Sequence, residues 1–482
     1  MKALSYQLSA VSGLLAGIVF TTVLATPARA QYDVIIAGGR VMDPESGLDG
    51  VRWIGIRNGK IEVVSERPLT GRSTIDASGL VVAPGFIDLH AHGQDDENYR
   101  IYALDGVTTA LEMEVGTSDI PGWYAAREGK ALVNFGATIS HVQSRMKVLG
   151  DPSTFLPSGE GGRGIATQQQ IGEIQQRLRE GLRQGALGIG FGLQYTPGAT
   201  KWEVLEMFRV AAEARAPAFV HVRAFGTREP GSSVESFVEV IGAAAITGAP
   251  LHIVHLNSMS LSSTPQTLRI VEEARGRGLD VTTEAYPYSA GMTAIESALF
   301  DQYQNAPDSV YQQFMWVATG ERLTRESFER YRKQGGMVVL FLNTPEMEAL
   351  AIASPLTAIA SDGMLSGGKG HPRTSGTYAR VLGHYVREKQ AISLMDAIRK
   401  MALLPAQRLE QWAPVFAAKG RIKPGADADL AIFDPATVID RATYQQPALP
   451  SEGFRHVLVN GVSVVKDGAL VTGVFPGRGV KH

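Results

Sequence analysis

The 482-residue sequence contains no cysteine. That excludes disulfides, thiolate metal ligands, a cysteine nucleophile and a lipid-modified N-terminal cysteine, so any metal must be held by histidine and carboxylate. An excess of charge of one sign is also missing. The 46 basic residues stand against 48 acidic ones, and the pI near 6.6 leaves no basic footprint for nucleic acid. No Gly-x-Ser-x-Gly elbow occurs, which removes the usual serine nucleophile. The stretch Gly159-Glu160-Gly161-Gly162-Arg163-Gly164 has dinucleotide-fingerprint spacing, but no apolar strand precedes it, so it reads as a flexible loop. Long apolar runs are confined to residues 11–25, behind Lys2 and ahead of Ala28-Arg29-Ala30. This pattern predicts a secretory signal over residues 1–30 with cleavage after Ala30, and a soluble protein exported to a bacterial periplasm. The run is short for a membrane span.

What remains has a globular composition, 44% hydrophobic and 20% charged. Short strand patterns with turn signals fill residues 31–83, including an Asn58-Gly59 hairpin turn. They return over residues 416–482 with a second turn at Asn460-Gly461. The two ends therefore predict one small β-sandwich domain. Between them, residues 84–415 alternate helix and strand: helical spacing over 203–214, 234–247 and 264–277 leads into apolar strands at 218–221, 251–255 and 279–286. A further unit at 325–342 precedes 356–360, which ends at Ser361-Asp362-Gly363. Repeated βα units with polar groups at the strand ends predict an α/β fold of (β/α)8 barrel type. A doubly wound open sheet is the alternative.

The strand Pro84-Gly85-Phe86-Ile87-Asp88-Leu89-His90-Ala91-His92 carries the chemistry. Period-2 alternation puts Asp88, His90 and His92 on one face, and two imidazoles two residues apart can converge on one metal. A lone His-x-His arises by chance. Here His221, His255 and Asp362 stand at later strand ends, and Glu112, Glu114 and Arg373 fall where barrel-mouth groups belong.

These residues resemble the amidohydrolase superfamily, and within it the N-acyl-D-amino-acid deacylase (D-aminoacylase) family. The resemblance runs through Asp33-Val34-Ile35-Ile36-Ala37-Gly38-Gly39, Ile75-Asp76-Ala77-Ser78-Gly79, the His90/His92 strand and Gly185-Ala186-Leu187-Gly188. It continues through Tyr286-Pro287-Tyr288, Ser361-Asp362-Gly363, His371-Pro372-Arg373 and Pro424-Gly425-Ala426-Asp427-Ala428-Asp429-Leu430. It implies a metal-dependent barrel with a β-sandwich made from both ends. His90, His92 and Asp362 match one metal site, and His221 and His255 match the other, for one or two divalent ions, Zn²⁺ first among them. The implied activity is hydrolysis of a small N-acyl amino acid, with Asp362 as proton shuttle. Arg373 suits the substrate carboxylate. His141 and Arg145 match a family element near the active site, and Tyr195 and Tyr288 are expected at the pocket. His252, three residues from His255, is expected to be packed or hydrogen-bonded. His384, His456 and His482 are expected to be surface or core residues.

The departure from the family pattern is at the position of its usual Cys, where a gapless match places Val115. Alternation over Leu111-Glu112-Met113-Glu114-Val115 turns Glu112 and Glu114 inward, so Glu114 is expected to bridge two cations, with Glu112 as the alternative. Asn257 replaces a family Lys, and Phe225-Gly226 an acidic element, both on the pocket wall. The substrate stays open to an N-acyl-L-amino acid or a dipeptide. Rival readings are a cyclic-amide hydrolase of hydantoinase or dihydropyrimidinase type, and a catalytically silent barrel that binds a metal or ligand.

Overall fold

The computed structural model describes Met1 and residues 32–482. Beyond Met1, the signal read at residues 1–30 lies outside the described residues. Among these residues no helix is long and apolar enough to cross a membrane.

Eight strands form one parallel sheet in chain order: Phe86–Asp88, Val107–Thr117, Asn134–Ser140, Ile189–Gly192, Ala218–His221, Leu251–Ile253, Val281–Ala285 and Thr357–Ile359. The first and last are joined by a parallel bridge between Ala91 and Gly363, and by His92 N–H donating to Gly363 O at 2.9 Å. The sheet is therefore a (β/α)8 barrel. Helices such as Gln168–Arg183, Lys201–Ala214 and Ser233–Thr247 return the chain between strands. Each starts at a Thr or Ser whose hydroxyl accepts an N–H of the first turn. The strand residues Ala218, Val220, Leu251 and Ile253 pack outward against the helices. Phe219 and Val254 instead join Ile87, Leu89, Leu111 and Met113 in a separate apolar cluster. Each fully buried Val, Leu, Ile, Phe or Met among them contributes about 1.5–3 kcal/mol, so the strands are fixed from both faces.

One expected barrel unit is not in the barrel. Met337–Leu340 pairs antiparallel with Gly291–Ala294 and Phe314–Trp316 in a three-stranded sheet. Its core, with Ile295, Phe314, Trp316 and Val338, also takes in Val115 and Tyr195, so this insertion rests on the barrel mouth. Local βα spacing looked the same as in a barrel unit because pairing partners are a tertiary choice.

Both chain ends build one nine-stranded sheet, with Val81–Pro84 between Tyr32–Asp43 and Leu430–Phe433. Period-2 alternation serves both faces. Val82, Leu430, Ile432 and Leu458 enclose a small core, while Val81, Ala83, Ala431, Phe433 and Val457 pack towards the barrel. The two Asn-Gly turns have left-handed backbones, φ 51° and 75° at Asn58 and Gly59, 50° and 78° at Asn460 and Gly461, as type I′ turns require. They pack against each other. The extreme C-terminus, expected in the small domain, returns to the barrel: Gly479 bridges Phe135, and the Tyr124 hydroxyl donates to Val480 O at 2.6 Å.

Candidate metal centre

The C-terminal strand ends converge on Glu114, which is 2% exposed. Its Oε2 lies 2.5 Å from His90 Nε2 and 3.3 Å from His92 Nε2, and Asp362 Oδ1 is 3.6 and 3.4 Å from the same two nitrogens. On its other side Glu114 Oε1 lies 2.8 Å from His221 Nδ1, and Oε2 lies 3.8 Å from His255 Nε2. Two ligand groups result, His90–His92–Glu114–Asp362 and Glu114–His221–His255, each with its donor atoms within 4.8 Å of one another.

Surrounding groups set the imidazole tautomers. His90 Nδ1–H donates to Glu284 at 2.7 Å and His92 Nδ1–H to Glu112 at 2.9 Å, which leaves both Nε2 lone pairs free, 3.1 Å apart. His221 is reversed: its Nε2–H donates to Gln194 Oε1 at 2.9 Å, and Nδ1 faces Glu114. Facing lone pairs beside two carboxylates repel one another unless a cation lies among them, so this donor set fits divalent metal. The field has the same sense. Burial opposes protonation of His90, yet Asp362 and Glu114 raise its pKa to about 10. Burial also opposes ionisation of Asp362, but Arg373 and His90 hold its carboxyl well below the ordinary range.

Two of the ligand positions have strained backbones. His255 has φ 32° and Asp362 φ 52°, left-handed values unusual for either residue. The bend at Asp362 is held by Ser361, whose N–H donates to Asp88 at 3.0 Å and whose hydroxyl accepts from Gly363 N–H at 3.0 Å. Asp88 thus braces backbone instead of joining the imidazoles, as strict alternation predicted.

Arg373 forms an ion pair with Asp362, Nη2 to Oδ1 at 2.9 Å, and its guanidinium lies 4.5 Å from the Tyr286 ring centroid. Its Nε and Nη1 are buried without hydrogen-bond partners among the described residues. Tyr195 lines two cavities that open from the centre and accepts from Thr293 at 3.1 Å. Tyr288 lines the larger cavity, with its hydroxyl donated to Asp440 at 3.2 Å.

His141 and Arg145 are a correction. Both are fully buried, and neither lines these cavities. They bond Glu203 at 3.0 and 2.5 Å, and Arg145 Nε also donates to Gly161 O at 2.8 Å. The glycine-rich stretch, read as a flexible loop, is thereby tied down, with Asp151 accepting from Gly159 and Gly161 N–H. Of the two inward glutamates, Glu112 is committed to His92 and to the N–H groups of Val115 and Gly116, so Glu114 is the one between the ligand groups. His252 is hydrogen-bonded to Thr282 and Glu284. Gln194 and Glu284 escaped the sequence reading. Glu284 had a signal, a charge on the inward register of Val281-Thr282-Thr283-Glu284-Ala285. Although burial opposes its ionisation, hydrogen bonds from His252 and His90 hold its pKa to about 2.

A second cavity system, lined by Arg215, Arg275, Asp280, Arg399 and Arg408, lies at the N-terminal strand ends, away from these ligands. That face of a barrel carries stability more than chemistry.

The family model for the Amidohydrolase family matches residues 73–141 and 146–465. The chain is an amidohydrolase. This amidohydrolase is 30% identical to an N-acyl-D-glutamate deacylase of Alcaligenes xylosoxydans xylosoxydans, over 90% of the chain and 94% of the relative. It is 29% identical to a D-aminoacylase of the same organism, over 93% and 97%. Among solved structures, an N-acyl-D-glutamate deacylase from Bordetella bronchiseptica superposes with TM-score 0.79 at 26% identity, covering 94% of this amidohydrolase and all of that chain. That structure holds zinc and a phosphonate inhibitor that mimics the tetrahedral intermediate.

Proposed function

We propose that this amidohydrolase cleaves the amide bond of N-acyl-D-amino acids, releasing a carboxylic acid and a free amino acid. The observation that carries the reading is the placing of Arg373, with two buried donor nitrogens unpartnered among the described residues, against Asp362 of a two-site ligand cluster. The D-configuration follows the relatives' names.

His90, His92 and Asp362 would hold one divalent ion, zinc as in the Bordetella relative, and His221 and His255 a second, with Glu114 shared between them. The ion supplies a Lewis acid that polarises the scissile carbonyl and makes water acidic enough to attack near neutral pH. Asp362 takes the proton of the attacking water and passes it to the leaving amine. Arg373 keeps Asp362 ionised and oriented, and an unpartnered donor of its guanidinium, on Nε or Nη1, serves the substrate carboxylate. Glu284, Glu112 and Gln194 hold the imidazoles in the tautomers that present a lone pair to the centre. The insertion at 291–340 and Tyr195 wall the site from bulk water.

The test is amine release from matched N-acetyl-D- and N-acetyl-L-amino acids by wild type and Asp362→Asn, with metal content measured on the same preparations. Bound metal and no release from either series would sink the reading.

Export to a periplasm, with cleavage after Ala30, is proposed from the residues 1–30 pattern. N-terminal sequencing of the protein recovered from a periplasmic fraction decides it.

A further inference from the structure

The two cavities that open from the metal centre differ in size but share a charge pattern. The larger is walled by Phe225, Met259, Leu261, Leu299, Leu340 and Leu342, and the smaller by Phe155, Leu156, Met337 and Met364. Among the described residues Arg373, which lines the smaller cavity alone, is the one guanidinium in the two linings, and neither has a lysine. Negative groups are better represented. Asp362 lines both cavities, Glu114 the smaller, and Ser289 of the larger one donates at 2.5 Å to Glu348, a carboxylate buried behind the wall.

An N-acyl amino acid brings one carboxylate of its own, and Arg373 matches it. An N-acyl-D-glutamate, the substrate in the name of the 30%-identical relative, brings two. Whichever cavity takes the side chain, the second carboxylate would lose its hydration against methionine, leucine and phenylalanine, with no further lysine or arginine among the described lining residues to pair it. A desolvated charge without a partner is strongly unfavourable, and a hydrophobic pocket rejects even an added hydroxyl by about 100-fold. Asn257, where the family pattern has Lys, supplies no cation either, and its side-chain amide donates to Tyr286 O at 3.0 Å.

We infer that this enzyme is selective for N-acyl amino acids with uncharged, apolar side chains, and that it rejects the N-acyl derivatives of glutamate and aspartate. The inference rests on the deacylase reading above and narrows it. Selectivity resides in the absence of a second cation, not in a clash, so it is convertible. Leu342 and Met364 line the larger and the smaller cavity and are only half-buried, which leaves room for a guanidinium at either.

The experiment is kcat/KM of the metal-loaded enzyme on the N-acetyl derivatives of D-leucine, D-methionine, D-phenylalanine, D-glutamate and D-aspartate. Leu342→Arg and Met364→Arg are run on the same panel. Wild type is expected to favour the best apolar substrate over either acidic one by about 100-fold or more. One of the two variants should raise the acidic-to-apolar ratio by about tenfold or more. Acidic substrates within about tenfold of the best apolar one in wild type overturn the selectivity and leave the deacylase reading standing. An unchanged ratio in both variants overturns the missing-cation explanation. No release from any substrate overturns both readings.

Discussion

Glu114 Oε1 lies 2.8 Å from Nδ1 of His221, while the other oxygen of the same carboxylate faces His90. One side chain thus joins two ligand groups that come from opposite parts of the barrel. Glu114→Ala is expected to lower bound metal by about one equivalent per chain, because His221 and His255 alone fall short of the three protein ligands such sites use. Elemental analysis after dialysis reads this. An unchanged metal content would remove Glu114 from the centre.

Glu284 holds His90 at 2.7 Å and His252 at 3.0 Å, and is 1% exposed. It reaches the centre only through His90, so it positions a ligand. Glu284→Ala is expected to weaken metal affinity about 10–100-fold, measured by competition with a chelator. His252→Asn, which leaves the Glu284–His90 contact in place, should have the smaller effect.

Glu203 is buried between His141 and Arg145, and these partners lower its pKa below the ordinary 4.5 although burial opposes ionisation. Removing one member of a buried ion pair costs about 3–5 kcal/mol, so Arg145→Ala should lower the denaturation midpoint strongly while folded molecules keep their KM. The pH dependence has a definite sign. A carboxyl with a depressed folded pKa adds stability that is complete above its unfolded pKa and is lost as pH falls through the folded value. The penalty of Glu203→Gln is therefore expected to be full at neutral pH and to shrink once pH drops below about 4.5. Urea titrations across that range check it, and a pH-independent penalty would contradict the ion pair.

Gly59 and Asn460 lie in hairpin turns from opposite ends of the sequence, and a Cβ on Gly59 would stand 2.7 Å from Asn460 O. Gly59 also has φ 75°. Gly59→Ala should cost about 1–3 kcal/mol by thermal denaturation, from strain and clash together. Gly47→Ala is the control: φ is 74°, but nothing lies within 4 Å of the added atom, so it should cost the backbone strain alone, about 1–2 kcal/mol, and less than Gly59→Ala.

Much of this molecule is written locally. Asn58-Gly59 and Asn460-Gly461 specify their turns because few other residue pairs accept two successive positive φ values. His90 and His92 declare a metal site because their spacing puts both imidazoles at one strand end. The absence of cysteine turns attention to Glu112 and Glu114. The gapless match beside Val115 favours Glu114, but alternation alone turns both glutamates inward. The pairing of Val107–Thr117 with Asn134–Ser140 shifts register between Glu112 and Thr117, and that irregularity sends Glu112 to His92 and backbone N–H groups while Glu114 reaches across to His221.

His141 and Arg145 show the converse. Their types suit a pocket, but Glu203 lies 58 residues beyond Arg145, and only folding shows that it claims both. Met337–Leu340 has the pattern of a barrel strand, yet its partners Gly291–Ala294 and Phe314–Trp316 draw it into the mouth insertion. The sequence by itself determined the barrel class, the paired ends and the residue types able to hold metal, because periodicity, turn chemistry and donor identity are local properties. The tertiary structure alone decided which carboxylate joins the two ligand groups, which arginine keeps unpartnered donors, and that among the described residues one guanidinium lines the two cavities. Those depend on partners distant in sequence, and a buried charge is defined by what the fold places beside it.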